Sequence, residues 1–194
     1  TDPLCQVNST FDGSISVSIR LQPLTLTFYG RRPSARSAYY QQRINPETGM
    51  WGSWNIKNPH HRSWMVQFAY HLFPLFLYDD KELGHSNKIV DLMLKTQNAC
   101  GGFGVKVNSS ACEDIDSIDI LCRLASSVPE RKEEVDKALS KALTWVLCNQ
   151  VDDGGFVFRL YESFTYVHPQ MSTGTNEGAM LPTWFRLLSL AYLA

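Results

Sequence analysis

Two kinds of apolar pattern alternate along residues 45–194. The first leaves a wet face. Val135, Leu139, Ala142, Leu143 and Val146 recur at helical spacing, with Glu133, Glu134, Lys137 and Lys141 mostly opposite, the period of an amphipathic helix. Ser127-Val128-Pro129-Glu130 ahead of it reads as a capping box with a proline in the first turn. His85–Gln97 has the same character, with Ile89, Leu92, Met93 and Thr96 inward and Lys88 and Lys95 outward. The second kind has almost no polar side. It covers Trp64, Met65, Val66, Phe68, Ala69, Tyr70, Leu72 and Phe73, then Ile118 to Ala125, then Trp184 to Leu193. A helix apolar all round is buried. The pattern predicts an all-α fold in which buried inner helices alternate with amphipathic outer ones.

The punctuation between helices repeats. Thr48-Gly49-Met50-Trp51-Gly52, Gln97-Asn98-Ala99-Cys100-Gly101-Gly102-Phe103-Gly104 and Gln150-Val151-Asp152-Asp153-Gly154-Gly155-Phe156 share a glycine turn followed by a large aromatic. Their glycines Gly49, Gly101 and Gly154 recur at a period of 52 to 53 residues. Such a period marks a repeat architecture whose units bury their faces by stacking on neighbours. Residues 45–194 therefore hold about three helical hairpin repeats. Residues 1–44 read differently. Ile15, Val17, Ile19 and Leu21 alternate with polar residues, Leu24, Leu26 and Phe28 alternate again after Pro23, and Arg31–Ser34 resembles a linker. This is a strand-like N-terminal segment, a β-hairpin with a linker. A degenerate extra repeat around Phe11-Asp12-Gly13 is the other reading.

Composition narrows the partners. A net charge of −1 gives no basic field for nucleic acid. No apolar run reaches the roughly 18 residues of a membrane-spanning helix. The chain starts without Met or a signal pattern, which reads as a cut or processed end. Five widely spread cysteines form no C-x-x-C pair, so a reducing, cytoplasmic compartment is expected, with a peripheral membrane association left open.

Lys141-Ala142-Leu143-Thr144-Trp145-Val146-Leu147-Cys148-Asn149-Gln150, followed by Gly154-Gly155-Phe156, resembles the repeat signature of the squalene cyclase and prenyltransferase superfamily. In that signature the glutamine ends an outer helix and ties it to the next turn. The resemblance covers roughly residues 45–194. It implies an α/α toroid, here an incomplete ring of helical hairpin repeats, since a closed toroid of this superfamily needs about twice as many units. The ring is then a fragment, a partial toroid, or one closed by self-association or by further repeats.

The resemblance also directs attention to Cys112-Glu113-Asp114-Ile115-Asp116-Ser117-Ile118-Asp119. Class II terpene cyclases carry two aspartates one residue apart followed directly by a third, and the middle one protonates an alkene or epoxide. Asp114 and Asp116 match the first part, while Ser117 stands where the third aspartate would be. The implied catalytic set is Asp116 as proton donor, with Asp114 and Asp119 tuning it. Arg123 would hold Asp119, and Arg123, Trp64, Phe68 and Trp184 would meet an apolar polyprenyl-type substrate, with ring faces stabilising developing cations. The competing reading is structural: Ser110 and Glu113 fit a capping box, and acids in a first turn meet the helix dipole. The aromatics Trp51, Trp54, Trp64, Phe68, Tyr70 and Phe73 equally suit core packing. His71 reads as a core histidine, and His60 and His61 as residues of a helix start. No D-x-C occurs for a zinc prenyltransferase site, so no metal and no cofactor is expected. The expected function is acid-initiated cyclisation of an apolar small molecule. The alternative is a non-catalytic toroid module binding a lipid, peptide or glycan.

Overall fold

The computed structural model of the protein describes residues 35–194; the strand readings within residues 1–34 lie outside the described residues, while the rest of the expected strand-like 1–44 segment opens on a helix, Ala35–Gln41. The described chain is mostly helical. Its α-helices are α1 (Ala35–Gln41), α2 (Pro59–Tyr78), α3 (Ser86–Leu94), α4 (Ala111–Leu124), α5 (Lys132–Cys148) and α6 (Met180–Leu193). A two-stranded antiparallel ribbon, β1 (Phe164–Thr165) and β2 (Ser172–Thr173), interrupts the α5–α6 connection. The sequence pattern gave no hint of this ribbon, because strands of two residues carry no measurable alternation.

Helix α4 is the centre. It packs against α2 on one side and α6 on the other, with α3 and α5 also against it. Its start is fixed by a complete capping box: Glu113 N donates to Ser110 Oγ at 3.3 Å, and Ser110 N donates to Glu113 Oε2 at 3.0 Å. These bonds satisfy donors that a helix start leaves orphaned. Ser63 in the second turn of α2 donates to Glu113, Arg186 midway along α6 reaches Asp114 in the first turn of α4, and Cys122 near the end of α4 meets Tyr192 near the end of α6. The N-terminal ends of α2, α4 and α6 therefore lie side by side, and the three helices run parallel.

All-round burial holds for α4, but only in part for its neighbours. Met65, Val66, Ala69, Leu72, Phe73 and Phe76 on α2 are buried, whereas Trp64 and Phe68 stay half exposed. His71 is exposed as well, correcting the core reading of that histidine. On α6 Pro182, Arg186 and Ser189 are buried, while Trp184 and Leu187 are exposed. The sequence pattern could not separate these cases. A helix at the end of a row has the composition of one in the middle, yet lacks a neighbour on one flank.

The three glycine turns share their bonding. Asn45, Asn98 and Val151 N donate to the carbonyls of Met50, Gly102 and Gly155, at 2.7, 2.8 and 2.9 Å. Gly49, Gly101 and Gly154 N donate back to the carbonyls of Asn45, Asn98 and Val151. Isolated antiparallel bridges pair Ile44 with Trp51, Gln97 with Phe103, and Gln150 with Phe156. The closing glycines sit at φ +71°, +99° and +86°, a region where a Cβ meets the next carbonyl. Gln97 Nε2, just past α3, donates to Gly101 O at 2.9 Å and to Ala138 O of α5 at 2.8 Å. One amide thus joins a turn to the next helix. Placement of the turns differs. Phe103 N and Phe156 N bond to first-turn side chains of α4 and α6, Asp114 and Thr183. Trp51 instead packs against Phe73 and Phe76, in the C-terminal half of α2.

Two local expectations are corrected. The capping box at Ser127–Glu130 does not form: Pro129–Arg131 is a 3₁₀ turn, α5 starts at Lys132, and Glu130 accepts from Asn87 instead. Cys100 is disulfide-bonded, while Cys112, Cys122 and Cys148 are free. Disulfides persist in oxidising compartments, and the cysteine spacing held no sign of this one. No helix of the described residues is long and apolar enough to cross a membrane.

Candidate functional site

The helical period sorts the four acids of α4 before any contact is considered. Residues 112, 116, 119 and 123 follow i, i+4, i+7, i+11 and share one stripe, whereas residue 114 lies on the opposite side. The contacts follow this division.

Asp114 faces the interior between α4, α5 and α6 and is fully engaged. Its Oδ1 accepts from Phe103 N at 2.7 Å and Ser109 Oγ at 2.8 Å. Its Oδ2 accepts from Trp145 Nε1 at 2.9 Å and pairs with Arg186 Nη1. Both partners of that ion pair are wholly buried. Arg186 Nη2 is further bound by Asn149 Oδ1 at 3.1 Å. A carboxylate has about four acceptor positions, and donors from four places fill them here. Asp114 thus joins four elements, while its charge still adds to those that raise the Asp116 carboxyl.

Glu113 is held by the capping box and by Arg159 Nη2 at 2.8 Å. Burial opposes its ionisation, but the hydrogen bonds from Ser110 and the Arg159 charge outweigh burial and keep its pKa below the usual range. Asp119 accepts from Arg123 Nε at 2.6 Å, the pairing anticipated from their i, i+4 spacing. Burial nonetheless raises the Asp119 carboxyl, with Arg123 pulling the other way. The Arg123 guanidinium also lies 5.7 Å from the centre of the Tyr192 ring.

Asp116 is different. It is 5% exposed and makes no hydrogen bond or ion pair among the described residues. Burial, then the charges of Asp119, Glu113 and Asp114, push its carboxyl up to about 8. The shift favours the protonated form, which carries an O–H. Around it stand Cys112, whose thiol is pushed up to about 12 by burial and then by Asp116, and Tyr70 of α2. The Tyr70 hydroxyl is likewise raised to about 12, first by burial and then by Asp119 and Asp116. From the α6 side Tyr192 stands beside Asp119 and Arg123, its carbonyl accepting from Cys122 Sγ at 3.4 Å.

The aromatic residues expected at the site are not gathered there. Trp64 and Phe68 lie on the flank of α2 turned away from Tyr70, and Trp184 on the flank of α6 turned away from α4, all about half exposed. Trp51 and Phe73 are core, and Trp54 packs on His61 and Trp64 at the surface. Three residues that matter escaped the sequence reading: Arg159, Arg186 and Tyr192. Arg186 had a signal, being the only charge in the apolar run from Trp184 to Leu193, and a charge in such a helix needs a buried partner. Arg159 and Tyr192 had none. Among the described residues no group of three or more His, Cys, Asp or Glu side chains is placed to hold a metal ion.

Comparison with family models, curated proteins and solved structures finds no match to this chain.

Proposed function

We propose that the chain is an α/α-toroid type array of helical hairpins whose central helix carries a Brønsted acid, Asp116, acting on an apolar polyprenyl-type substrate. One observation supports this above others. Of four acids on α4, three have their own arginine and Asp116 has none. An unpaired buried carboxyl keeps its proton, which an acid must do to deliver it to a weakly basic alkene.

In the proposed step the Asp116 O–H bond breaks and the π pair of an alkene forms the new C–H bond, leaving a carboxylate and a carbocation. The next alkene of the same molecule attacks the cation and closes a ring. The cyclised cation loses a proton to water, which restores an alkene, and the Asp116 carboxylate takes a proton back from solvent, so the net change is isomerisation. Asp119, its charge balanced by Arg123, raises the proton affinity of Asp116, and the faces of Tyr70 and Tyr192 suit a passing cation. Trp64, Phe68 and Trp184 take no part in this reading.

Incubation of the chain with linear polyprenyl alkenes, with products resolved by mass, tests it. Asp116→Asn should lower turnover by about 100-fold or more; equal turnover in the variant would end the proton-donor role. Infrared spectroscopy gives an independent arm. The wild type should show the C=O stretch of a protonated acid at pH 7, and Asp116→Asn should remove it.

A further inference from the structure

The two flanks that α2 and α6 leave open are not equivalent to an ordinary protein surface. Phe103 N bonds to Asp114 on α4, and Phe156 N bonds to Thr183 on α6. These matching bonds set the register between the two helices, with residue 114 corresponding to residue 183. On α4 the side shared with Cys122, whose thiol meets Tyr192 of α6, carries Ile115 and Ile118, both buried. At the same register α6 presents Trp184, Leu187 and Ala191. Trp184 is 56% and Leu187 52% exposed. Helix α6 thus turns to solvent the positions with which α4 buries α6. At the other end of the row α2 exposes Trp64 and Phe68, four apart on one face, at 51% and 50%. Stacked repeat units bury their apolar flanks against a neighbouring unit, and both of these flanks are apolar.

Charge says what fits. From Thr48 to Tyr78 the sequence has Lys57 and Arg62 and not one Asp or Glu. From Asn149 to Ala194 it has Asp152, Asp153, Glu162 and Glu177, and its two arginines are already paired with Glu113 and Asp114. Asp153 lines an open groove together with Met180, Trp184 and Leu187, beside the start of α6. Lys57 and Arg62 lie beside the start of α2. With α2 and α6 parallel, a basic end on one flank faces an acidic end on the other.

We infer that the α6 flank of one chain docks on the α2 flank of a second copy, head to tail, continuing the α2–α4–α6 row across the junction. Trp184 and Leu187 pack against Trp64 and Phe68, and Lys57 and Arg62 meet the Asp153 and Glu177 side. The contact is heterologous, so it closes into a ring or extends as a filament. It does not depend on the role of Asp116, and Asp116→Asn should assemble like the wild type.

Light scattering coupled to size exclusion, run over a range of concentrations and salt, tests the inference. The expected mass is at least twice the 22.0 kDa of one chain, falling as salt rises. Phe68→Glu and Leu187→Lys, both at exposed positions, should each run as monomers with unchanged circular dichroism. Mixed together, they should form a heterodimer, because each retains the flank the other lacks. A wild type that stays monomeric at every concentration would overturn the inference. So would an assembly indifferent to both variants, one variant that still self-associates, which would mean like meets like, or variants that fail to pair when mixed, since a head-to-tail contact leaves each the flank the other needs.

Discussion

Asp116 and Asp114 are two residues apart and have opposite fates, and each carries a stability consequence. A buried carboxyl with its pKa at about 8, against roughly 3.9 when unfolded, binds a proton in the folded state that the unfolded state has lost. Its contribution is fully present below the unfolded value and disappears as pH rises through the folded one. Wild-type stability should therefore fall between about pH 4 and pH 8, by as much as about 1.4 kcal/mol per pH unit from this group. Asp116→Asn should flatten that slope in urea unfolding series at several pH values, and an unchanged slope would place the carboxyl in water. For Asp114 the relevant partner is Arg186. Arg186→Met leaves an uncompensated buried carboxylate and should cost about 3–5 kcal/mol in the same assay. A loss below about 1 kcal/mol would mean that the pair is hydrated. Helical period alone separates these two aspartates onto opposite sides of α4, but not their partners. The i, i+4 pairing of Asp119 with Arg123 was legible because it is local, whereas the Asp114–Arg186 pair spans 72 residues and leaves only a lone arginine in an apolar run as its trace.

At the scale of elements, the glycine turns were legible as a motif because positive φ restricts the residues that can occupy them. Their bonding repeats to within a few tenths of an ångström, but their surroundings do not. A Cβ on Gly101 would lie 2.5 Å from Lys141 O, whereas one on Gly154 would meet nothing within 4 Å. Gly154→Ala should therefore cost only the left-handed backbone strain, about 1–2 kcal/mol. Gly101→Ala should cost clearly more, because the backbone of α5 must also move. Equal shifts in thermal unfolding would contradict the difference. Helices α2 to α6 were found from their periods, and the capping box of α4 from Ser110 and Glu113, whereas α1 lies in the segment read as a strand-like hairpin and linker. The same grammar at Ser127 failed because Pro129 settled into a 3₁₀ turn and Asn87, distant in sequence, took the glutamate. Capping signatures report what a start could use, and tertiary partners decide what it does use.

Across the whole molecule, the mostly helical character was legible and the ribbon between α5 and α6 was not. The disulfide at Cys100 was not legible either. Alkylation of the denatured, unreduced chain should label Cys112, Cys122 and Cys148 and spare Cys100, and peptide mass mapping checks this directly. Labelled Cys100 would return the chain to the reducing compartment first expected.

The carboxylate of Asp114 is where a glycine turn, a loop serine, the α5 indole and the α6 guanidinium converge. Detaching any one of these segments strands an anion in a dry place, so none can fray cheaply while the others stay. Chains built from stacked units ordinarily come apart from their ends, one unit at a time. This one has its last two hairpins fastened at a single atom group. Amide exchange at Phe103, within the turn, and at the start of α6 should therefore slow and quicken together, as though the two stretches were neighbours along the backbone.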